Sequence, residues 1–169
     1  GSSERNLLSG GAGDDRLYGG GGDDVLTGGA GSDILEGGAG DDRFVTGPGS
    51  TMAGEVFDGG EGTDEMHITN TGVVVDLTTA ELRSVEEISA AATTLLTATQ
   101  LLQFSAISGN FKLSGGGTVH LGPLHSNDVI VIQLSDDETD IDISDTTGDA
   151  WIIRGGAADD DIIGNSEDD

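Results

Sequence analysis

Large apolar residues return every nine positions near the start of this chain, at Leu17, Leu26, Leu35 and Phe44. They sit inside four back-to-back phrases over residues 10–45: GGAGDDRLY, GGGGDDVLT, GGAGSDILE and GGAGDDRFV. Each fits Gly-Gly-x-Gly-x-Asp-x-U-x, where U is the large apolar residue. The last three positions predict a short strand whose middle residue points inward while its neighbours face solvent. The glycine-rich first half predicts a turn. Two repeats then make one coil, so turns eighteen residues apart stack on the same edge. The pattern predicts an all-β fold, a parallel solenoid.

The period weakens further on without vanishing. TGPGSTMAG at 46–54 reads as a decayed repeat, with Thr51 at the place of the aspartate and a short insertion after it. GGEGTDEMH at 59–67 restores the turn, with Asp64 sixth and Met66 inward. Asn6 and Leu8 stand where the sixth and eighth residues of a preceding repeat would fall. Near the other end GGAADDDII at 155–163 is a near-match, with Ala158 replacing a glycine, Asp160 sixth and Ile162 inward. GNSEDD then reads as the start of one more repeat, so the ends are expected to be cut edges.

Between these blocks, β-rich segments are expected at 73–77, 85–89, 118–121, 129–134, 140–144, 150–154 and 161–163. From Thr118 on, their starts fall roughly ten residues apart, with Gly, Asn, Asp and Ser between them. Alternation in VIVIQL and DIDIS suits strands with one buried face. The expectation is a continuing solenoid with looser, mostly metal-free turns, its inward line joined by Val131, Ile152 and Ile162. Trp151 lies at the inward phase relative to Asp149 and reads as core. Residues 97–104 (TATQLLQF) form the best short helix, with Leu101, Leu102 and Phe104 able to pack on or cap the solenoid. A separate β-sandwich between two repeat blocks is the rival. The chain thus divides into 1–66, 67–154 and 155–169.

Charge adds a second constraint. Of 169 residues, 32 are acidic and 6 basic, giving a formal charge of −26, and there is no cysteine. Such a charge opposes compaction by self-repulsion, and low hydrophobicity brings the bare chain close to a disordered composition. Without disulfides another staple is needed outside the cell. The repeats offer one. Successive carbonyls of a nearly extended glycine segment point to opposite sides, so each turn presents one pair to the turn above and another to the turn below. The sixth-position aspartates Asp15, Asp24, Asp33 and Asp42 add carboxylates. A hard cation taking six to eight oxygens fits between such turns.

The repeat resembles that of the RTX (repeats-in-toxin) family, in which a right-handed parallel β-roll binds calcium in stacked turns. The tight resemblance covers about a quarter of the chain. In that family a site takes the second- and fourth-position carbonyls and the aspartate of one turn, and the first- and third-position carbonyls and the aspartate of the next. The resemblance implies one site of Gly11, Gly13 and Asp15 with Gly28, Ala30 and Asp33. A second joins Gly20, Gly22 and Asp24 with Gly37, Ala39 and Asp42. A third pairs Gly38, Gly40 and Asp42 with Gly59, Glu61 and Asp64, and Asp160 marks a ligand place in the last near-repeat. Calcium is the implied cofactor. Extracellular-type affinities of about 10⁻⁴ to 10⁻³ M at millimolar calcium add about 0.4–1.8 kcal/mol per site by mass action. Folding is therefore expected to be metal-gated.

Other chemistry reads weakly. The Asp-Asp pairs recur at a fixed nine-residue step, which marks ligand plus solvent-facing neighbour rather than a glycosidase pair. The glycine runs are followed by no lysine of a phosphate loop. His67, His120 and His125 lack zinc-type spacing. SDDETDIDISDTTGD at 135–149 lacks the glycine and terminal glutamate of an EF-hand, and reads as a solvated turn or an extra calcium site. No nucleophile elbow is present, and no enzyme is expected. The acid excess argues against nucleic acid, and no apolar run spans a membrane. Two functions stay open: a calcium-binding structural module of a larger secreted or cell-surface bacterial protein exported by type I secretion, or an accessory or carbohydrate-binding region of a secreted enzyme or toxin. Calcium ions are the expected partners, with end-to-end self-association at cut edges and a glycan or cell-surface partner as further expectations.

Overall fold

The computed structural model describes residues 2–47, 52–121, 125–126, 130–144, 146–148 and 151–164. Through the repeats the strands are β1 (Leu7–Ala12), β2 (Arg16–Gly21), β3 (Val25–Ala30), β4 (Ile34–Ala39), β5 (Arg43–Thr46), β6 (Val56–Glu61) and β7 (Glu65–Ile68). The longer ones begin at the seventh place of one repeat and continue through the third of the next, so the glycine pair lies inside the strand. The turn proper shrinks to three residues. Odd strands pair in parallel on one face (β1-β3-β5-β7) and even strands on the other (β2-β4-β6).

The register stacks like on like. Leu8 meets Leu26, Leu26 meets Phe44, and Phe44 meets Met66, while Leu17, Leu35 and Phe57 stack on the opposite sheet. Leu26, Leu35, Phe44 and Met66 are fully buried. Phe44 and Phe57 meet edge to face across the interior at 5.6 Å, an arrangement favoured by the ring quadrupoles. Leu17 is only partly buried and packs against this core.

The same winding continues through β8 (Val75–Asp76), β9 (Glu81–Arg83), β10 (Glu87–Thr97), α1 (Ala98–Leu101), β11 (Ala106–Ser114), β12 (Gly117–His120), β13 (His125–Ser126), β14 (Ile130–Gln133), β15 (Thr139–Asp142), β16 (Thr147–Gly148), β17 (Trp151–Arg154) and β18 (Ile162–Ile163). One eleven-stranded sheet runs from β1 to β17, with a four-stranded sheet ending at β9 and a three-stranded sheet of β12, β15 and β18 facing it. The result is a parallel β-solenoid of about seven turns, not an antiparallel sandwich. β10 is the element least visible in the sequence. Its first half pairs with β7 and its second with β8, across a register shift between Ala90 and Thr94. Nor do Val73 and Val74 lie in a strand; both are exposed.

The short helix is real but brief. Thr97 caps it, accepting from the Gln100 amide, and the Gln100 side chain accepts in return from the Thr97 amide at 2.9 Å. Leu101 and Phe104 are buried, whereas Leu102 is 46% exposed and does not pack on the core. The expected inward line also needs correction. β14 buries Ile130 and Ile132, so Val131 points outward, and Ile152, which pairs with Val131, is 39% exposed. Trp151 and Ile153 hold the inward phase of β17 instead. The period-two rule makes this a one-residue slip. Ile162 stacks on buried Ile141 yet is 43% exposed, because no described strand lies beyond β18.

Candidate metal centre

The turns fall on two edges, and each carries a column of acidic residues. On the first edge the Asn6 amide donates to Asp24 Oδ1 at 2.6 Å, the Asp24 amide to Asp42 Oδ1 at 2.8 Å, and the Asp42 amide to Asp64 Oδ1 at 2.7 Å. The Asp64 amide donates to Glu86 Oε2 at 3.0 Å. On the second edge the Asp15 amide donates to Asp33 Oδ1 at 2.8 Å. One oxygen each of Asp24, Asp33, Asp42, Asp64 and Glu86 is thereby consumed by the preceding coil. Oδ2 of the four aspartates among them, and of Asp15, is buried without a partner.

The carbonyls converge on the same gaps. A Cβ on Gly29, at φ +119°, would collide with the Gly11 carbonyl, and one on Gly31 with the Gly13 carbonyl, so these second- and fourth-position oxygens face the next coil. The first-position carbonyl faces back. At Gly10 a Cβ would lie 2.6 Å from Asp15 Oδ2 and 2.7 Å from the Gly28 carbonyl. Gly19 has the same relation to Asp24 Oδ2 and the Gly37 carbonyl. Third-position carbonyls also face back: Ala30 accepts from the Gly13 amide at 2.7 Å and Glu61 from the Gly40 amide at 2.8 Å. The fold thus brings Gly11, Gly13 and Asp15 beside Gly28, Ala30 and Asp33 on the second edge. On the first edge it sets Gly20, Gly22 and Asp24 beside Gly37, Ala39 and Asp42, through the Gly20–Gly38 and Gly21–Ala39 register. Gly38, Gly40 and Asp42 lie beside Gly59, Glu61 and Asp64 through the Gly38–Gly60 and Ala39–Glu61 register.

Burial without a counter-charge is costly here. Desolvation pushes the Asp42 carboxyl above its ordinary range, opposed by the hydrogen bond from Asp24 and reinforced by the charges of Asp24, Asp23 and Asp41. Desolvation pushes Asp64 to about 6, with Asp42, Glu86 and Asp41 adding to it. An ionised carboxylate out of water without a partner costs several kcal/mol. A hard divalent cation meets that demand, since carboxylate and carbonyl oxygens are the donors it prefers. Among the described residues no three His, Cys, Asp or Glu side chains form a metal-holding group, so a cation here draws on the backbone. An open groove of about 410 Å³, lined in part by Asp23, Asp24, Asp41 and Asp42, gives the first edge access to solvent.

Two acidic residues in these columns escaped the sequence reading. Thr51, expected in the sixth place, lies outside the described residues, and the register that pairs Ile34 with Val56 sets Glu55 beside Asp33. Glu55 is 2% exposed with Oε1 unpartnered, and desolvation, then Asp33, pushes its carboxyl to about 8. Glu86 follows Asp64 in the same way. The signal was present: in EVF and EEI, as in DIL, an acid stands two residues before an inward apolar side chain.

Asp160 differs from the other sixth-position aspartates. Its Oδ1 accepts from the Thr139 amide at 3.0 Å and its Oδ2 from the Gly156 amide at 2.6 Å, leaving neither oxygen orphaned. The coil beneath it presents Thr139, not an acid. In the 135–149 run, Asp142 is engaged by the Ser144 amide and by His120, while Asp145 and Asp149 lie outside the described residues. His67 Nδ1 contacts Ser89 Oγ at 2.6 Å.

Over residues 1–35 and 18–52 the chain matches the family model of the RTX calcium-binding nonapeptide repeat, in four copies. The matched residues read as RTX repeats and carry four of the five stacked aspartates, Asp15, Asp24, Asp33 and Asp42, while the fifth, Asp64, lies beyond the matched span. No curated protein matches the chain.

Proposed function

We propose that this chain is a calcium-binding structural module of a larger secreted or cell-surface bacterial protein, one that folds when it meets calcium outside the cell. The observation that carries the reading is the set of five buried aspartate Oδ2 atoms with no partner, aligned between stacked coils. Calcium held there by Asp15 with Asp33, Asp24 with Asp42 and Asp42 with Asp64, together with the facing glycine carbonyls, supplies the missing positive charge. Because the upper carboxylate of each pair, Asp33, Asp42 or Asp64, is oriented by an amide of the preceding coil, a site exists only where two coils are in register. Metal uptake and winding are then one event, and a chain of charge −26 stays open until ions are plentiful.

The module is proposed to be non-catalytic. The surface group most like a catalytic one is His67, Ser89 and Glu65. There the Ser89 hydroxyl donates to Glu65 at 2.5 Å, and the same His67 nitrogen lies near both Ser89 and Glu65, at 2.6 and 3.5 Å. A serine triad needs the imidazole between the hydroxyl and the acid, with a different nitrogen to each. Among the described residues no helix is long and apolar enough to cross a membrane. Circular dichroism during a calcium titration tests the proposal: a β spectrum developing with calcium supports it, and a β-rich chain indifferent to calcium rejects it.

A further inference from the structure

The geometry points to a further divalent-cation site at the head of the first edge, formed by Asp64, the Ser84 carbonyl and Glu86, beyond the span of the matched repeats. It rests on the calcium reading of the repeats and adds Ser84 and Glu86, which lie outside their pattern. Asp58 pairs with Arg83 while the Asp64 amide meets Glu86, so the six residues 59–64 face only the three residues 84–86. This clipped turn has no GGxGxD sequence, yet it rebuilds part of that geometry. Ser84 stands level with Gly59, the first place of its repeat, and holds φ +45°, the only non-glycine at positive φ among the described residues.

A Cβ on Gly59 would collide with two oxygens at once, the Ser84 carbonyl and Asp64 Oδ2. That is the pairing of first-position carbonyl and aspartate seen at Gly10 and Gly19. Asp64 is fully buried and its Oδ2 has no partner, so a buried acceptor is aimed at a second acceptor. Two such oxygens repel unless a cation lies between them. Glu86, one methylene longer than aspartate, reaches the column from the shorter turn and brings a second carboxylate. Gly60 and Gly62 hold the second and fourth places of the lower turn, as Gly38 and Gly40 do one coil earlier, where their carbonyls face Gly60 and Gly62. Two carboxylates and three carbonyls suit a hard divalent ion.

Native mass spectrometry of the full chain in calcium gives the test. Glu86→Gln keeps an oxygen for the Asp64 amide but removes the charge, and it is expected to bind one ion fewer than the unaltered chain. An unchanged ion count overturns the site while leaving the repeat sites standing; no ion on either chain overturns both readings. Should the variant fail to fold, anomalous scattering from terbium-soaked crystals of the unaltered chain decides. A peak touching Asp64 Oδ2 and the Ser84 carbonyl supports the site, and metal in the lower turns with none here rejects it.

Discussion

The main-chain amide of Asp42 donates to Oδ1 of Asp64, 22 residues later, at 2.7 Å. An aspartate that belongs to one coil is thus aimed by the backbone of the coil before it. Its neighbours in the fifth place run the opposite way: the Thr63 amide donates back to Asp41 Oδ1 at 2.9 Å, as the Ser32 amide does to Asp14 at 3.0 Å. The Asp15–Asp33, Asp24–Asp42 and Asp42–Asp64 junctions are therefore stitched in both directions, with the inner stitch leaving one oxygen free and the outer one lying in solvent. Fifth-position acids thereby hold the coils together as well as facing water.

In calcium-stripped buffer at neutral pH the chain is expected to be largely unfolded, and in millimolar calcium β-rich. The carboxylates repel one another without an ion, and the coils cannot stack with buried charges unpaired. Far-ultraviolet dichroism with and without chelator checks this; identical β spectra in both would sink the metal-gated picture.

Replacing Asp42 should cost more than replacing Asp14. Asp42 faces junctions on both sides, above to Asp64 and below to Asp24, so Asp42→Ala is expected to lose at least one bound ion and weaken the rest. Asp14 is exposed, and Asp14→Ala gives up only its bond to Ser32, worth about 1 kcal/mol or less. Calorimetric ion counts should fall for the first and hold for the second. Equal counts would place the ligand column elsewhere.

Gly38→Ala should impair folding even in saturating calcium. The position holds φ +120°, and a Cβ there would strike the Gly20 carbonyl, an oxygen assigned to the metal. Strain and displacement together are expected to cost more than about 2 kcal/mol. A calcium-dependent melt indistinguishable from that of the unaltered chain would contradict this.

The repeats were readable because glycine, aspartate and apolar residue each have one physical task per nine positions, so the pattern fixed coil length, edges and inward side chains together. The strand-rich region after His67 was legible as parallel winding but not in register. Its coils lengthen to 19–25 residues, and in an apolar run such as Val131 with its neighbours both phases look equally hydrophobic. Glu55 and Glu86 were missed for a related reason. An insertion before one and a clipped turn before the other broke the nine-residue count, while the three-dimensional register survived it.

That slip has a direct test in the core. Phe44→Ala removes a fully buried ring in edge-to-face contact with Phe57 and should destabilise the calcium-loaded chain by about 3–5 kcal/mol. Ile152→Ser alters an outward residue and should change stability by less than about 0.5 kcal/mol. Urea unfolding in excess calcium measures both, and a large loss at Ile152 would restore it to the inward line.

Acidity should act in opposite directions on the metal-free and metal-loaded chain. In the metal-free fold, burial raises Asp64 to about 6 and Glu55 to about 8, above the unfolded carboxyl range near 4. A raised carboxyl favours folding when protonated. Its contribution is fully present below the unfolded value and is lost as pH rises, through about 6 for Asp64 and about 8 for Glu55. Calcium-stripped chain should therefore gain β structure on going from about pH 8 to pH 5. The loaded chain requires Asp64 ionised, so calcium affinity should fall over the same descent, and uptake near pH 6 should release protons. Titration calorimetry in two buffers of different ionisation enthalpy reads that release. Heats that do not depend on the buffer, with affinity unchanged between pH 5 and 8, would mean that the buried carboxylates never meet the ion.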